Sequence, residues 1–353
     1  MKKRRVSKQL HIGQVRVGGG APVAVQSMTK TDTRDVKATV AQIKKLEQCG
    51  CDIIRVAVPD REAAAALSKI KKSVSIPVVA DIHFDYRLAL AALKAGADGL
   101  RLNPGNIRDK EQVRKVAEAA KARGVPIRIG VNAGSLPPGR PGRMSTARYM
   151  VEVAMRQVRM LEGWDYDLIK IALKAFDVPT AIEAYRGIAG KTLYPLHIGI
   201  TEAGLPQTGL IRSAAGIGIL LYEGIGDTIR VSLSAPPQDE VAAGYEILKS
   251  LNLREHGPIL VSCPSCGRSE TDIVKLAQMV SKYLNTINKP VKVAVMGCVV
   301  NGPGEARDAD VGIACGKGRG ALFRKGRVVR TVDESEFFQS LTGEIESLVN
   351  QVL

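Results

Sequence analysis

The chain has 353 residues, of which 45% are hydrophobic but only 4% aromatic. That length allows one large domain and a smaller one, with a core built from Ala, Val, Ile and Leu. The formal net charge is +16, no run is long and apolar enough to span a membrane, and no apolar signal core follows the basic residues 1–5.

In chain order, residues 1–253 present eight strand-like runs. They are Val23–Met28, Ile53–Val58, Val78–Ile82, Gly99–Asn103, Ile127–Asn132, Leu168–Lys174, Leu196–Thr201 and Thr228–Leu233. Amphipathic stretches such as Val36–Gln48, Arg61–Lys72, Tyr86–Lys94 and Lys110–Arg123 lie between them. Short β runs alternating with helices predict a parallel sheet, and eight such units fit a (β/α)8 TIM-type barrel. An internal echo supports the repeat: Gly50-Cys51-Asp52-Ile53-Ile54-Arg55 resembles Gly96-Ala97-Asp98-Gly99-Leu100-Arg101, each a helix end entering a strand. The Gly/Pro-rich segment 134–143 follows the fifth strand and is expected as a loop over the barrel mouth. Gln238–Leu251 reads as the closing helix, and a linker follows.

Residues 254–353 read as a small α+β domain. Its expected elements are strand Ile259–Ser262, helix Thr271–Ile287, strands Val291–Met296 and Val311–Cys315, a Gly/Arg-rich ribbon to Val332, and helix Glu334–Leu353. Residues 256–353 hold 12 Lys/Arg and 10 Asp/Glu, so almost all the excess positive charge belongs to the barrel. A basic balance suits nucleic acid, an anionic substrate or an acidic partner. Few aromatics for base stacking and no familiar binding module argue against nucleic acid. Six cysteines without a small secreted framework point to a reducing cytoplasm.

Active sites of such barrels lie at the C-terminal ends of the strands, and here those ends are polar. They carry Arg55; Asp81, His83 and Asp85; Arg101 and Asn103; Arg128 and Asn132; Lys170 and Lys174; His197, Thr201 and Glu202; and Arg230 and Ser232. Converging cations call for a multiply charged anion, which guanidinium groups bind bidentately. Asp81, Glu202 and His197 are candidate acids or bases, and each serves equally as a partner that orients an arginine. No Walker loop or G-x-G-x-x-G turn indicates a nucleotide.

In the smaller domain, Cys263-Pro264-Ser265-Cys266 and Gly297-Cys298 place three thiols on turns after strands. Three thiolates gathered by folding suit iron–sulfur or zinc. Cys49, Cys51 and Cys315 read as packing thiols.

Several motifs then occur together in order: Val25-Gln26-Ser27-Met28-Thr29, Ala80-Asp81-Ile82-His83-Phe84-Asp85, Arg101-Leu102-Asn103-Pro104-Gly105-Asn106, Gly199-Ile200-Thr201-Glu202-Ala203-Gly204, Gly224-Ile225-Gly226-Asp227-Thr228, and Cys298 followed by Asn301-Gly302-Pro303-Gly304-Glu305. On these motifs the chain resembles the 4-hydroxy-3-methylbut-2-enyl diphosphate synthases, in their compact bacterial two-domain form. The resemblance implies reductive opening and dehydration of 2-C-methyl-D-erythritol 2,4-cyclodiphosphate in isoprenoid biosynthesis. It implies a [4Fe–4S] cluster held by Cys263, Cys266, Cys298 and Glu305, and phosphate contacts from Arg55, Arg101, Arg128, Lys174 (or Lys170), His197, Arg230 and Ser232. It also implies a homodimer whose active site is shared between subunits. A separate redox protein, flavodoxin or ferredoxin, is the expected electron donor, since no flavin or nicotinamide site is visible.

Two rival readings stand beside it. One is a barrel lyase or hydrolase for a phosphorylated substrate, carrying a structural zinc site. The other is a basic RNA-binding protein.

Overall fold

In the computed structural model the chain divides into two compact units, Met1–Arg254 and Glu255–Leu353. All residues are described except Phe84, 104–108, Glu270, 299–305 and 352–353.

The first unit opens with a small antiparallel hairpin, β1 (Leu10–Ile12) and β2 (Val15–Val17). Eight further strands follow: β3 (Ala24–Met28), β4 (Ile53–Val58), β5 (Val78–Ile82), β6 (Gly99–Leu102), β7 (Ile127–Asn132), β8 (Ile169–Lys174), β9 (His197–Ile198) and β10 (Thr228–Ile229). Each strand is followed by a helix: α1 (Val36–Gln48), α2 (Arg61–Ser73), α3 (Tyr86–Lys94), α4 (Lys110–Lys121), α5 (Thr146–Glu162), α6 (Val178–Ala189), α7 (Pro206–Tyr222) and α8 (Pro237–Ser250). The strands run parallel in chain order. β10 pairs back onto β3, and Leu196 bridges Ile171 of β8, so the sheet closes into a (β/α)8 barrel.

Local chemistry explains the regularity. Aspartates 35, 60, 85, 109 and 177 cap the N-termini of α1, α2, α3, α4 and α6 through backbone N–H groups, each satisfying an otherwise orphan donor. At the other end of the barrel, aspartates in the turns Gly50-Cys51-Asp52, Gly96-Ala97-Asp98 and Gly224-Ile225-Gly226-Asp227 clamp neighbouring strands. Asp52 accepts from Val25 N at 2.7 Å, Asp98 from Val78 N at 2.7 Å, and Asp227 from Leu196 N at 2.8 Å. The echo noticed in the sequence is therefore a strand-registering device.

The hairpin was not anticipated. Its Leu10, Ile12 and Val17 pack with Ala24, Ile53 and Val79, early residues of β3, β4 and β5, and so plug the N-terminal end of the barrel. β9 and β10 are shorter than their sequence runs. Their last N–H groups find other acceptors: Thr201 N bonds Ala175 O at 3.3 Å, and Leu233 N bonds Glu240 Oε1 at 3.0 Å.

The second unit is a five-stranded sheet ordered β11 (Ile259–Ser262), β12 (Lys292–Met296), β13 (Val311–Cys315), β14 (Arg319–Arg324) and β15 (Arg327–Asp333). The first three strands are parallel and the last two form an antiparallel hairpin. Helices α9 (Ile273–Leu284) and α10 (Phe337–Gln351) share one hydrophobic core with it. No described helix is long and apolar enough to cross a membrane.

Candidate active site at the barrel mouth

A cavity of about 440 Å³ opens at the C-terminal ends of the barrel strands. Its wall includes Arg55, Asp81, His83, Arg101, Asn103, Arg128, Asn132, Lys174, Thr201, Arg230 and Ser232, all among the polar strand ends read from the sequence, together with Ser135. Strand periodicity brings them together, because alternate residues of each strand face the axis. Two glycines make the room. A Cβ on Gly130 would lie 2.9 Å from Arg101 Nε, and one on Gly199 would lie 2.9 Å from Lys174 Nζ and 2.4 Å from Arg230 O.

The cavity is strongly cationic. Asp81 accepts from Arg101 Nη1 at 3.1 Å and lies 3.5 Å from Arg55 Nε and 3.6 Å from His83 Nε2. Burial alone would raise its carboxyl, but Arg55, the His83 hydrogen bond and Arg101 hold it far below the usual range. Arg230 Nη2 lies 3.4 Å from Glu240 Oε2 on α8, and Lys30 Nζ lies 3.2 Å from Glu240 Oε1. The two carboxylates leave the five cations of the wall in excess. Burial, reinforced by Arg230 and Arg128, pushes the Lys174 ammonium well below its ordinary value. Burial likewise brings Arg55 down to about 10, with Asp81 opposing the shift. Arg101 Nε and Arg230 Nε have no hydrogen-bond partner among the described residues. Buried charge in this state requires a counter-anion.

Other expected residues fall elsewhere. Lys170 and His197 are buried in the barrel interior and do not border the cavity. Glu202 is exposed, with φ 55°, on the turn after β9. The loop after β7 does reach the site: Ser135 lines the cavity and accepts from Asn103 Nδ2 at 3.2 Å. Sequence reasoning missed Glu240. It sits in the first turn of α8, where an acidic residue reads as a partner of the helix dipole, yet it is only 2% exposed and holds both Arg230 and the strand end at Leu233.

In the second unit, β11 and β12 are adjacent and parallel, so Cys263 and Cys298 leave neighbouring strand ends. Cys263 Sγ accepts from Gly297 N at 3.1 Å. Ser265, at φ 58°, turns the loop toward Cys266. The exposed Cys266 thiol is shifted down by hydrogen bonding from Arg268, first through its backbone and then its side chain. Such donors, one already receiving an N–H and one readily ionised, fit a soft iron site. Among the described residues no three His, Cys, Asp or Glu stand gathered round one point, and Glu305 lies outside them. Cys51 and Cys315 are core thiols, each raised to about 12 by burial. Burial also raises Cys49, which is half-buried.

Comparison with known proteins agrees with this architecture. The domain described as GcpE TIM-barrel domain matches residues 7–245, and the GcpE protein C-terminal domain matches residues 259–347. A 4-hydroxy-3-methylbut-2-en-1-yl diphosphate synthase (flavodoxin) of Dehalococcoides mccartyi strain CBDB1 is 64% identical over 345 residues, covering 98% of this chain and 99% of its own. Proteins of the same description from Geobacter sulfurreducens and Thermodesulfovibrio yellowstonii are 56% and 55% identical. The first covers 97% of this chain and 98% of its own, the second 98% and 99%. Among solved structures, a dihydropteroate synthase from Xanthomonas albilineans superposes with a TM-score of 0.51 at 16% identity, covering 70% of this chain and 98% of its own. A type I 3-dehydroquinate dehydratase from Clostridium difficile gives the same TM-score, identity and share of this chain, and likewise covers 98% of its own. Those two likenesses concern the barrel fold alone. The matches to both domains, and relatives sharing more than half their residues along nearly the whole chain, favour neither the zinc hydrolase nor the RNA-binding reading: the chain belongs to the GcpE family, the 4-hydroxy-3-methylbut-2-en-1-yl diphosphate synthases (flavodoxin).

Proposed function

We propose that this chain converts 2-C-methyl-D-erythritol 2,4-cyclodiphosphate into (E)-4-hydroxy-3-methylbut-2-enyl diphosphate, using electrons from a reduced flavodoxin or ferredoxin. The observation that carries the reading is the excess of buried and half-buried cations around the mouth cavity: among the described residues Arg55, Arg101, Arg128, Lys174 and Arg230 are set against the carboxylates of Asp81 and Glu240. A cyclic diphosphate brings the negative charge this wall lacks. The reaction consumes two electrons and two protons. A ring C–O bond to phosphate breaks, and one hydroxyl leaves as water.

The chain's own groups divide the work. The guanidinium groups and Lys174 hold the two phosphates and stabilise the charge that develops on the diphosphate as the ring C–O bond breaks. Asn132 and Ser232 supply neutral hydrogen bonds at the same wall. Asp81, kept ionised by its cations, positions Arg55 and Arg101. Glu202 and Glu305 are the carboxyls left to carry protons. Cys263, Cys266, Cys298 and Glu305 would hold a [4Fe–4S] cluster, whose chemistry is delivery of electrons and Lewis acidity at iron. A carboxylate ligand is harder and more easily displaced than a thiolate, which suits Glu305 to an iron that must open.

The active site is proposed to be shared in a two-fold dimer. Support comes from the path of α8, whose 14 residues carry the chain about 21 Å away from the mouth. Arg254, which ends the first unit, donates to Val23 O at 3.0 Å, just before β3 begins. The chain therefore leaves the barrel at the end opposite the substrate cavity. A partner's cluster domain placed over the mouth brings electrons to the substrate.

Anaerobic reconstitution, iron and sulfide counting, and a visible spectrum test the cofactor. Turnover of the cyclodiphosphate with reduced flavodoxin tests the activity. About four irons per chain and product formation are expected. A colourless protein binding one zinc, without turnover, would defeat the proposal.

A further inference from the structure

The polar interior of the barrel continues beneath the mouth cavity. Ser27 Oγ donates to Glu240 and Val25 packs near Gly244, both on α8, so Gln26 between them faces the axis. An eight-stranded barrel of this kind advances one residue per strand around its circumference, and alternate strands supply layers of four inward residues. The observed register then puts Gln26, Val79, Arg128 and His197 in one layer, and Ile53, Gly99, Lys170 and Thr228 in the layer below.

Six buried polar atoms in these two layers have no hydrogen-bond partner among the described residues: Lys170 Nζ, Arg128 Nε and Nη1, His197 Nε2, and both amide atoms of Gln26. None of the four residues is more than 3% exposed, and only Arg128 also borders the mouth cavity. The carboxylates nearby are committed. Asp227 accepts from Ser7 Oγ at 2.7 Å and Leu196 N at 2.8 Å, with Arg4 and Arg5 at 3.6 Å. Asp81 serves Arg55, Arg101 and His83. Burial, then repulsion from Arg128, depresses Lys170; burial, then repulsion from Arg55 and Arg101, depresses Arg128; and burial keeps the His197 ring neutral. Water would complete the hydrogen bonds but leave the two cations uncompensated; an anion does both.

We propose that this barrel floor is a binding site for a small monovalent anion of the halide class, beneath the substrate cavity and separate from it. The ion sits between Lys170 Nζ, Arg128 Nε and Nη1 and the Gln26 amide N–H. His197 adds its Nε2–H in the tautomer whose Nδ1 accepts from Thr228 Oγ1, 2.8 Å away. Close-packed interiors leave gaps of about the size of one water, which admits a halide and excludes a phosphate. The bound ion neutralises the floor and fixes Arg128, leaving its remaining guanidinium nitrogen to the substrate above.

The test uses crystals of the anaerobically reconstituted enzyme soaked in bromide, with data collected at the bromine absorption edge. One anomalous peak is expected on the barrel axis between Gln26 and Lys170, and it should persist when the cyclodiphosphate is bound. In solution, chloride or bromide should raise Tm by about 2–4 °C over gluconate at equal ionic strength. Lys170→Met should lose that difference. Water alone at the floor, a peak that substrate displaces, or equal Tm in all three salts would each overturn the proposal. The diffraction result needs no variant, so it decides the matter even if Lys170→Met fails to fold.

Discussion

Asp81 and the arginines around it show how single residues set this site. Each arginine borrows part of one carboxylate, and none is fully compensated. Removing one guanidinium removes a charge-assisted contact of about 1.5–3 kcal/mol. Arg101→Ala or Arg230→Ala should therefore bind the cyclodiphosphate roughly ten- to hundred-fold more weakly by calorimetry. Arg34→Ala, whose guanidinium pairs with the carboxylates of Asp32 and Asp60, should bind normally. Equal affinity in all three variants would remove the arginines from the phosphate site. His197 makes a second residue-scale prediction. Its folded pKa is depressed by burial, then by Lys174 and Arg128. The unfolded chain takes up a proton near pH 6.5 while the folded chain does not, so stability falls as pH drops below that value. The slope is at most about 1.4 kcal/mol per pH unit for one proton. Urea midpoints between pH 7.5 and 5.5 should fall in the wild type and fall less steeply in His197→Gln; matching slopes would show that His197 is not the group responsible.

At the scale of elements, the barrel strands carry the site because their period of two lines up cations and glycines on one face. Gly130 and Gly199 mark where the arrangement is tightest, and they differ in what a methyl group would strike. At Gly130 it meets the flexible guanidinium of Arg101. At Gly199 it meets the Arg230 carbonyl, which belongs to the backbone and cannot step aside. Gly199→Ala should therefore lower Tm and substrate affinity together. Gly130→Ala should weaken binding with a smaller loss of Tm. Thermal melts and titrations of the two variants check the order, and the reverse order would mean that β10 yields more readily than its hydrogen bonds to β9 suggest. The turns into β4 and β6 were legible, because a helix ended by a glycine such as Gly50 or Gly96, each at positive φ, is local chemistry. The β1–β2 hairpin was not, because three-residue strands carry too little periodicity to signal themselves.

For the whole molecule, the shared-site proposal makes a strong prediction. Cys298→Ser lacks a proposed cluster ligand and Arg101→Ala lacks a phosphate contact, so at substrate concentrations far below the weakened Kd of Arg101→Ala each alone should be nearly inactive. Mixed and allowed to exchange subunits, they should recover about a quarter of all sites, since half the dimers are mixed and each mixed dimer holds one intact site. Exchange demonstrated by mass spectrometry without recovered turnover would mean that each chain uses its own cluster.

The sequence alone determined the alternating strands and helices, the polar strand ends, the three thiols on turns and the family, because each is written in local periodicity or contiguous motif. Tertiary structure decided what depends on register. Lys170 and Lys174 share a strand face, yet only Lys174 borders the cavity, because the stagger around the barrel drops Lys170 to the floor. Glu240 comes from a helix end and enters the site only because α8 packs its first turn against Ser27 and Arg230. Depth along a barrel axis is a sum over eight strand registers, and no single segment of sequence contains it.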